Sequence, residues 1–427
     1  MNEPIFIARQ DTLEQEILPA HWLAQYKLFG EESYTFQDKG IWKKLCMSSA
    51  AANDRDIHAE ALEEMLTTFS AEHTGKWMLL VYGTNAAALE GLATMAAIAA
   101  NGTAMGAIVD NALLMHAIAN SETAMQRIAN SQTAMQRVAN NRGAMDAIGR
   151  SRIARDAVQA SPYYNSCIKE NDMAIAKLAV ALANLESAGY SGMAGVAADS
   201  TAMTAVAASS VARNAISASP YYDEKIKEND MAIAKLVVGF ANLASANYSS
   251  MAGVVADATA MTAVAASSTA MTAVAASSTA MTAVAASGVA LKAIAQAYKN
   301  TANMLQFLKA VNASDTLIKR IYNTLTNATA LFGASQLGAQ DGVADANSWA
   351  TTSAAPNAFL ACACGYYNSG GANVDVTYNG TAIAQNKTGT RQPGSVTSTN
   401  VNAITMAPST FTENGDGWLA VQKFTVK

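Results

Sequence analysis

The chain has 427 residues, of which 51% are apolar but only 7% aromatic and 14% charged. Because much of the apolar fraction is alanine and a typical soluble domain is about 25% charged, one large ordinary core is excluded. The net charge of -5, with no polybasic run, argues against nucleic acid as a partner, since phosphate binding requires clustered Lys and Arg. The tryptophans lie only near the two ends, at Trp22, Trp42, Trp77, Trp349 and Trp418.

Residues 1 to 85 combine aromatic side chains with mixed charges, which predicts a small α or α+β domain with an ordinary core. The stretch from Asp54 to Phe69 has the apolar spacing of an amphipathic helix. The acidic, interrupted start does not have the pattern of a secretory signal or a transit peptide. The glutamates that follow His58 are interpreted as a charged helix face rather than as a carboxylate site.

A ten-residue repeat dominates the middle of the chain. Methionine recurs at every tenth position, and a β-branched residue follows three positions later. In most repeats the residue four positions before the methionine is one of the preferred helix N-caps. These predicted caps are Asn101, Asn111, Ser121, Ser131, Asn141, Ser151, Asp199, Ser209, Asp257, Ser267, Ser277 and Ser287.

Each repeat therefore predicts a separate helix of about two turns. In a continuous helix the methionine stripe would slip by about 80° per repeat. One repeat does not fold alone, because burial of its methionine and β-branched residue contributes roughly 3 to 6 kcal/mol, against on the order of 10 to 15 kcal/mol for ordering ten residues. We expect the helices to stack as a rod or solenoid, with methionine as core filler rather than as a metal or cofactor ligand.

A longer repeat appears twice with an offset of 58 residues, as SPYYNSCIKENDMAIAKLAVALANL from Ser161 and SPYYDEKIKENDMAIAKLVVGFANL from Ser219. Its heptad spacing is typical of a coiled-coil seam, in which one polar residue fixes register and oligomer number. The predicted trimer seam comprises Ile168, Asn171, Ile175, Leu178, Leu182, Ile226, Asn229, Ile233, Leu236 and Phe240. A monomeric helical hairpin packed on the solenoid is the alternative.

Residues 299 to 339 are predicted as a helical stalk, whose last helix is capped at Ser314 and ended by Gly333. Its apolar stripe is Ile318, Ile321, Leu325, Ala328 and Phe332.

From residue 340 onward the composition shifts to Gly, Asn, Thr and aromatic residues. VDVTY and TAIAQ flank Asn379 and Gly380, which predicts a β-hairpin with a type I′ turn. Further strands are predicted at 358–367, 403–406 and 418–426. Together these segments predict a small antiparallel β domain, either a sandwich or a barrel.

The predicted fold class is thus a mainly α repetitive rod of short capped helices and short coiled-coil-like helices, between a small N-terminal α or α+β domain and a C-terminal antiparallel β domain. The predicted divisions are 1–85 for attachment, 86–160 for the first ten-residue array, 161–298 for the two longer repeats with further ten-residue repeats, 299–339 for the stalk, and 340–427 for the β tip.

Four aromatic residues of the tip, Tyr366, Tyr367, Tyr378 and Trp418, are the predicted receptor contacts, because aromatic faces with a polar handle suit stacking on sugars. The alternative is that they form the core of their own domain or trimer contacts.

Catalytic chemistry is not predicted, since the sequence has no nucleophile and base arrangement, phosphate loop or metal cluster. Cys362 and Cys364 have the C-x-C spacing of a metal site, but we interpret the cysteines as small thiols of a protein assembled in a reducing cytoplasm. A hydrolytic site around Asp375, Glu413 and Asp416 is disfavoured. No catalytic, cofactor or metal residue is therefore assigned.

With a globular head, a low-charge array of A-M-x-A-[IV]-A-x-S repeats from Met95 to Leu291, trimer-like seams and a β tip, the chain resembles bacteriophage tail fibres and related virion appendage proteins. The resemblance implies a homotrimer made in the host cytoplasm, which attaches by its N-terminus to tail or baseplate proteins. It also implies that the C-terminal domain meets a host surface glycan or protein. The short broken helices depart from the β-helices and long coiled coils of many fibres.

A purely structural virion protein, such as a baseplate, collar or decoration component whose β domain binds another virion protein, is the second hypothesis. An ice-binding or surface-layer role is disfavoured, because the alignment of Thr262, Thr272 and Thr282 is not kept in the first array, which has Gln126 and Gln136 at this register.

Overall fold

The computed structural model describes residues 55–68, 74–75, 78, 87–341, 347–350, 357–366, 372–388, 395–415 and 417–427. Most of the predicted N-terminal domain, including Trp22, Trp42 and Trp77, lies outside the described residues. The chain divides into two compact units, one formed by Met1–Val196 with Ser209–Tyr222 and the other by Ala197–Ala208 with Asp223–Lys427. The predicted fold class, mainly α with a C-terminal antiparallel β region, is confirmed.

The helices, in chain order, are α1 (Arg55–Thr68), α2 (Ala87–Glu90), α3 (Met95–Ala100), α4 (Gly102–Val109), α5 (Ala112–Ala119), α6 (Glu122–Ala129), α7 (Gln132–Ala139), α8 (Arg142–Arg150), α9 (Arg152–Ala160), the π-helical turn π1 (Tyr164–Lys169), α10 (Asp172–Leu182), α11 (Met193–Ala198), α12 (Ser200–Ala208), α13 (Ser210–Ser217), the π-helical turn π2 (Tyr222–Ile226), α14 (Asp230–Phe240), α15 (Met251–Ala256), α16 (Ala258–Ala266), α17 (Ser268–Ala276), α18 (Ser278–Ala285), α19 (Gly288–Gln296), α20 (Thr301–Asn312) and α21 (Asp315–Asn327). The strands are β1 (Phe332–Asp341), β2 (Asn347–Ala350), β3 (Ala358–Tyr366), β4 (Ala372–Tyr378), β5 (Thr381–Thr388), β6 (Ala403–Met406), β7 (Ser409–Gly415) and β8 (Gly417–Val426).

Each ten-residue repeat forms one short helix, as predicted. Ser131 is extended, its Oγ accepts a hydrogen bond from the Ala134 N–H at 3.3 Å, and α7 begins at the next residue. All twelve predicted caps accept such a bond from the first turn of their helix. Because this bond satisfies an N–H group that the helix leaves unpaired, each cap starts a new helix. The repeat methionines are at most 3% exposed, so they fill the core.

Consecutive helices meet at sharp corners and wind into coils. The axes of α4 and α5 are bent by 102°, and those of α16 and α17 by 100°. At several corners the capping serine donates its hydroxyl to a carbonyl 32 residues earlier, from Ser131 to Ala99 at 2.6 Å and from Ser287 to Val255 at 2.7 Å. Three helices therefore complete one coil, and α7 packs on α4. One hydroxyl both starts a helix and joins two coils.

Among the described residues, no single helix combines the length and hydropathy of a membrane span. Three pairs of consecutive helices reach both only when counted together, across bends of 96° to 102°.

Each of the longer repeats carries one longer helix, α10 in the first copy and α14 in the second. Both helices follow a π-helical turn and end in a Schellman motif, with Asn184 and Asn242 in the left-handed region at φ 59° and 57°. Helix α10 runs parallel to α8, because Asn171 and Lys177 each contact the residue 31 positions earlier.

The next helix stacked on each longer helix runs in the opposite direction. Ser209, which begins α13, donates to the Leu182 carbonyl at the end of α10, and Ser219, which follows α13, donates to the Lys169 carbonyl before α10. The second copy repeats this arrangement in the hydrogen bonds from Ser267 to Phe240 and from Ser277 to Lys227. The direction of winding therefore reverses after each longer helix, which the sequence did not predict.

The predicted trimer seam is wrong, because its residues are used inside the coils of their own chain. The side chains of Ile168, Ile175, Leu178, Ile226, Ile233 and Leu236 are 0% exposed, Phe240 is buried, and Leu182 is half-buried. Asn171 and Asn229 are N-caps that accept hydrogen bonds from the N–H groups of Ala174 and Ala232. The heptad positions do not mark a separate face, because consecutive residues are buried from Ala174 to Ala181 in α10 and from Ala232 to Phe240 in α14. No hairpin forms either, since each longer helix is one layer of a coil.

The C-terminal region forms two four-stranded antiparallel sheets, with strand orders β1-β8-β3-β6 and β2-β7-β4-β5. The sheets contact each other through β3, β4, β6, β7 and β8. Successive strands alternate between the two sheets, except that β4 and β5 lie in the same sheet. This is the arrangement of a jelly roll. The predicted antiparallel β domain is confirmed, and it is a sandwich.

The observed strands include the predicted ones at β3, β6 and β8. Asn379 and Gly380 have φ values of 51° and 77°, as the type I′ turn requires. The predicted end of the stalk is wrong: α21 ends at Asn327, and Gly333 lies in β1. The β domain begins at Phe332, before the predicted boundary at 340, because this segment pairs with the C-terminal strand β8, from Phe332 opposite Val426 onward.

Helices α20 and α21 connect the last coil to the β domain rather than forming a free stalk. Ser314 caps α21, as predicted. The Asn312 amide donates to the Ile404 carbonyl at 2.7 Å and accepts from the Ile404 N–H at 3.0 Å, so it pairs with edge strand β6 as a neighbouring strand would. The Tyr322 ring meets Phe424 edge to face at 5.7 Å between centroids. These contacts fix the β domain to the helices.

Helix α1 lies within the amphipathic segment predicted from Asp54 to Phe69. Its Glu63 carboxylate accepts hydrogen bonds from the hydroxyls of Ser121 and Thr123 and from the Thr123 N–H. Glu63 thus caps the first turn of α6, where a negative charge is favourable. This role explains the carboxylate without a metal or catalytic site.

Candidate binding surfaces

The aromatic residues predicted to contact a receptor do not form a surface platform. Trp418 is 1% exposed and Tyr378 is 2% exposed, so neither ring offers a face to a sugar. The prediction is wrong for these two residues, because β8 lies in the middle of a sheet covered on both sides and the Tyr378 side chain bonds to Thr301. Their role in the core of their own domain was the alternative. The side chains of Tyr366 and Tyr367 lie outside the described residues.

Cys362 and Cys364 are buried free thiols on β3. Burial, together with the neighbouring Cys364 thiol, raises the pKa of Cys362 far above its ordinary value, which disfavours the thiolate that metals bind. The Cys364 thiol donates to the Lys387 carbonyl at 3.4 Å. Within the described part of the chain, no group of three or more His, Cys, Asp or Glu residues has the geometry of a metal site.

The two sheets of the jelly roll differ in what covers them. Every described side chain of β3 from Ala358 to Cys364 is buried, because helices α20 and α21 contact this sheet from outside. The other sheet alternates buried and half-buried residues, and its outward positions are polar: Asn373, Asp375, Thr377, Thr410 and Thr412. Asp375 accepts a hydrogen bond from the Asn386 N–H at 2.6 Å, and the side chains of Glu413 and Asp416 lie outside the described residues. The outer side of this sheet is therefore polar, and α20 contacts its edge strand β5.

A cleft with a volume of about 640 Å³ lies between α21 and the corner that joins α18 to α19. Its α21 wall is a polar stripe with helical spacing, formed by Thr316, Lys319, Arg320, Asn323, Thr324 and Asn327. Its other wall consists of the small residues Ala286 and Gly288, with Ala328 beside them. A Cβ at Gly288 would lie 2.9 Å from the Ala328 Cβ. Glycine therefore lets the two walls approach, where earlier repeats carry Ser268 and Ser278.

Two fully buried lysines occupy equivalent positions in the longer repeats. The Lys177 ammonium forms an ion pair with Asp146 and donates to the Ser187 carbonyl at 3.0 Å. Lys235 donates to the Ser245 and Ala246 carbonyls at 3.2 and 3.4 Å, and Thr204 stands in its repeat where Asp146 stands in the first. Burial lowers the pKa of Lys235. Both lysines hold the loop that follows the longer helix, so their role is structural.

No family model matches the chain, and no curated protein is similar to it in sequence.

Proposed function

We propose that the protein is a homotrimeric structural component of a phage tail fibre, attached to the virion by its N-terminal region. The jelly roll presents its outer sheet to the surface of the host. The observation that supports this most is the topology of the C-terminal domain, because jelly rolls serve as viral capsid and lectin domains. This support is an analogy of fold, since one fold carries many functions.

The division of the chain into repeats and tip supports the same proposal. The ten-residue repeats carry no catalytic grouping and have a low charge, which suits a spacer between an attachment point and a tip. The contacts of Asn312 and Tyr322 hold the jelly roll on the helices rather than on a flexible linker. In a trimer, three tips held in fixed positions convert weak single contacts into firm attachment.

The proposal is tested on the phage that encodes the chain. We expect mass spectrometry to detect the chain in purified particles, and gold-labelled antibodies against residues 372–427 to bind at the free ends of their fibres. We also expect the purified full chain to compete with the phage for adsorption to its host cells. Absence of the chain from particles contradicts the virion assignment.

A purely structural virion role is the second candidate. The outer sheet is rich in threonine, and its described residues include no exposed aromatic side chain on which a sugar could stack, which favours this role over glycan binding. In that case antibodies against residues 372–427 label the particle body, and the full chain does not compete for adsorption. The two outcomes separate host recognition from assembly.

A further inference from the structure

The cleft beside α21 is cationic in a chain with a net charge of -5. Lys319 and Arg320 line it, and none of its lining residues is acidic. The ion pairs of the described residues include neither side chain. Asp315, which begins the same helix, pairs instead with Lys387 at 3.0 Å. No carboxylate of the described residues therefore forms an ion pair with either positive charge.

The polar side chains of the cleft lie side by side on one wall because of the helix period. Residues three or four positions apart lie on one side of a helix, so the side chains of Lys319, Arg320, Asn323 and Asn327 share one wall. The opposite side of α21 is apolar and buried, including Ile318. The helix is thus fixed by its apolar side while its donors face the cleft.

The chemistry of the cleft suits a small polar ligand. It is an open surface groove of about 640 Å³, in which Lys319 and Asn323 are exposed and Arg320 is half-buried. A guanidinium recognises carboxylate and phosphate oxygens with two parallel hydrogen bonds, and an ammonium adds a second positive charge. The Asn323 and Asn327 amides offer both donors and acceptors, which suits hydroxyl groups.

We infer that this cleft binds a small hydroxylated ligand that carries a carboxylate or phosphate group, with the charged group at Arg320 and Lys319 and the hydroxyls at Asn323 and Asn327. This site goes beyond the proposed function and does not depend on it. It lies where α21 meets the last coil, apart from the outer sheet of the jelly roll.

Ligand-observed NMR of the full chain at low salt tests the inference with three probes: glucuronate, glucose 6-phosphate and glucose. We expect at least one anionic probe to bind with a dissociation constant in the millimolar range or tighter, while glucose binds at least about tenfold more weakly. Binding of glucuronate alone identifies a carboxylate ligand, and binding of glucose 6-phosphate alone identifies a phosphorylated one. Added salt weakens binding in either case, because it screens the charges.

Variants separate the cleft from general surface charge. We expect Lys319→Gln and Arg320→Gln each to weaken binding at least about fivefold. Lys309→Gln, which removes an exposed cation of α20 outside the cleft, changes it by less than about twofold. Thermal melting of each variant checks that it is folded. The inference is overturned if neither anionic probe binds, or if Lys309→Gln weakens binding as much as Lys319→Gln does.

Discussion

The corner hydroxyls are the feature on which the stacking of coils depends, and adjacent serines allow a matched test. Ser267 accepts a hydrogen bond from the Ala270 N–H at 3.2 Å and donates to the Phe240 carbonyl at 2.9 Å. Ser268, the next residue, is exposed and begins the helix proper. The change from serine to alanine therefore removes two contacts at one position and an exposed hydroxyl at the other.

The expected cost follows from these contacts. Loss of the cap in Ser267→Ala costs about 1 kcal/mol, and loss of the bond that joins two coils costs about 1 kcal/mol more. For a cooperative unit of about 200 residues, a total of about 2 kcal/mol lowers Tm by roughly 4 to 8 °C. Ser268→Ala changes the free energy of unfolding by less than about 0.5 kcal/mol.

Thermal denaturation followed by circular dichroism at 222 nm measures both variants against the wild type. Equal melting of Ser267→Ala and Ser268→Ala refutes the reasoning, because it would mean that the corner hydroxyl contributes neither a cap nor a contact between coils.

Three further changes test separate contacts. Between its lowered pKa in the folded chain and the ordinary lysine pKa of about 10.4, Lys235 binds fewer protons in the folded chain than in the unfolded chain, so the free energy of unfolding rises with pH. We expect Lys235→Met to remove this rise, measured by urea titrations at several pH values. The Glu228 carboxylate accepts four hydrogen bonds at the start of α18, so we expect Glu228→Gln to lower the free energy of unfolding by about 1 kcal/mol. The matched control is Glu170→Gln, since Glu170 is the equivalent residue of the first copy and Pro220 stands there in place of Ser278; it changes the free energy of unfolding by less than about 0.5 kcal/mol. Asn312→Ala leaves both backbone groups of Ile404 without their partner, costs about 2 to 4 kcal/mol, and speeds hydrogen exchange of the Ile404 amide.

Each of these expectations has a contradicting result. An unchanged pH profile in Lys235→Met would mean that another group titrates. Equal losses of unfolding free energy in the two glutamate variants would exclude the capping role of Glu228.

The stability that Glu228 contributes depends on pH. Burial raises the pKa of this carboxyl, but the hydrogen bonds from Ser278 and Thr279 lower it by more, so the net shift is downward. Its stabilising effect is therefore present above the ordinary glutamate pKa and lost as pH falls through the lowered one. Protected exchange at Ile404 in Asn312→Ala would show that β6 keeps its edge without the amide.

The parts of the fold that depend on local chemistry were predictable from the sequence. Cap residues such as Ser131 act within four residues, and the turn at Asn379 and Gly380 depends on the φ preferences of two residues. The β1 strand was missed because FGASQLGAQD lacks β-branched residues and owes its extended form to pairing with β8.

The seam and the binding surfaces depend on contacts between distant residues, and prediction failed there. Ile175 and Leu178 have the spacing of a coiled coil, but neighbouring coils bury the same positions. Trp418 was predicted to contact a receptor from its residue type alone. The residue type does not indicate that helices cover the sheet to which Trp418 belongs. At the cleft, Gly288 lies next to Ala328, 40 positions later in the chain. No local sequence pattern predicts a contact over this separation.

The central claim is that repeats three apart lie one above the other, and the distance between spin labels at Gln126→Cys and Asp156→Cys tests it most directly. Both positions are exposed, on α6 and α9, which pack together in adjacent coils. We expect dipolar broadening that corresponds to roughly 10 to 20 Å between labels, since packed helices lie about 8 to 10 Å apart. Singly labelled chains, measured in parallel, exclude contacts between different molecules. A separation near 45 Å, the length of 30 residues in one continuous helix, would contradict the stacked coils.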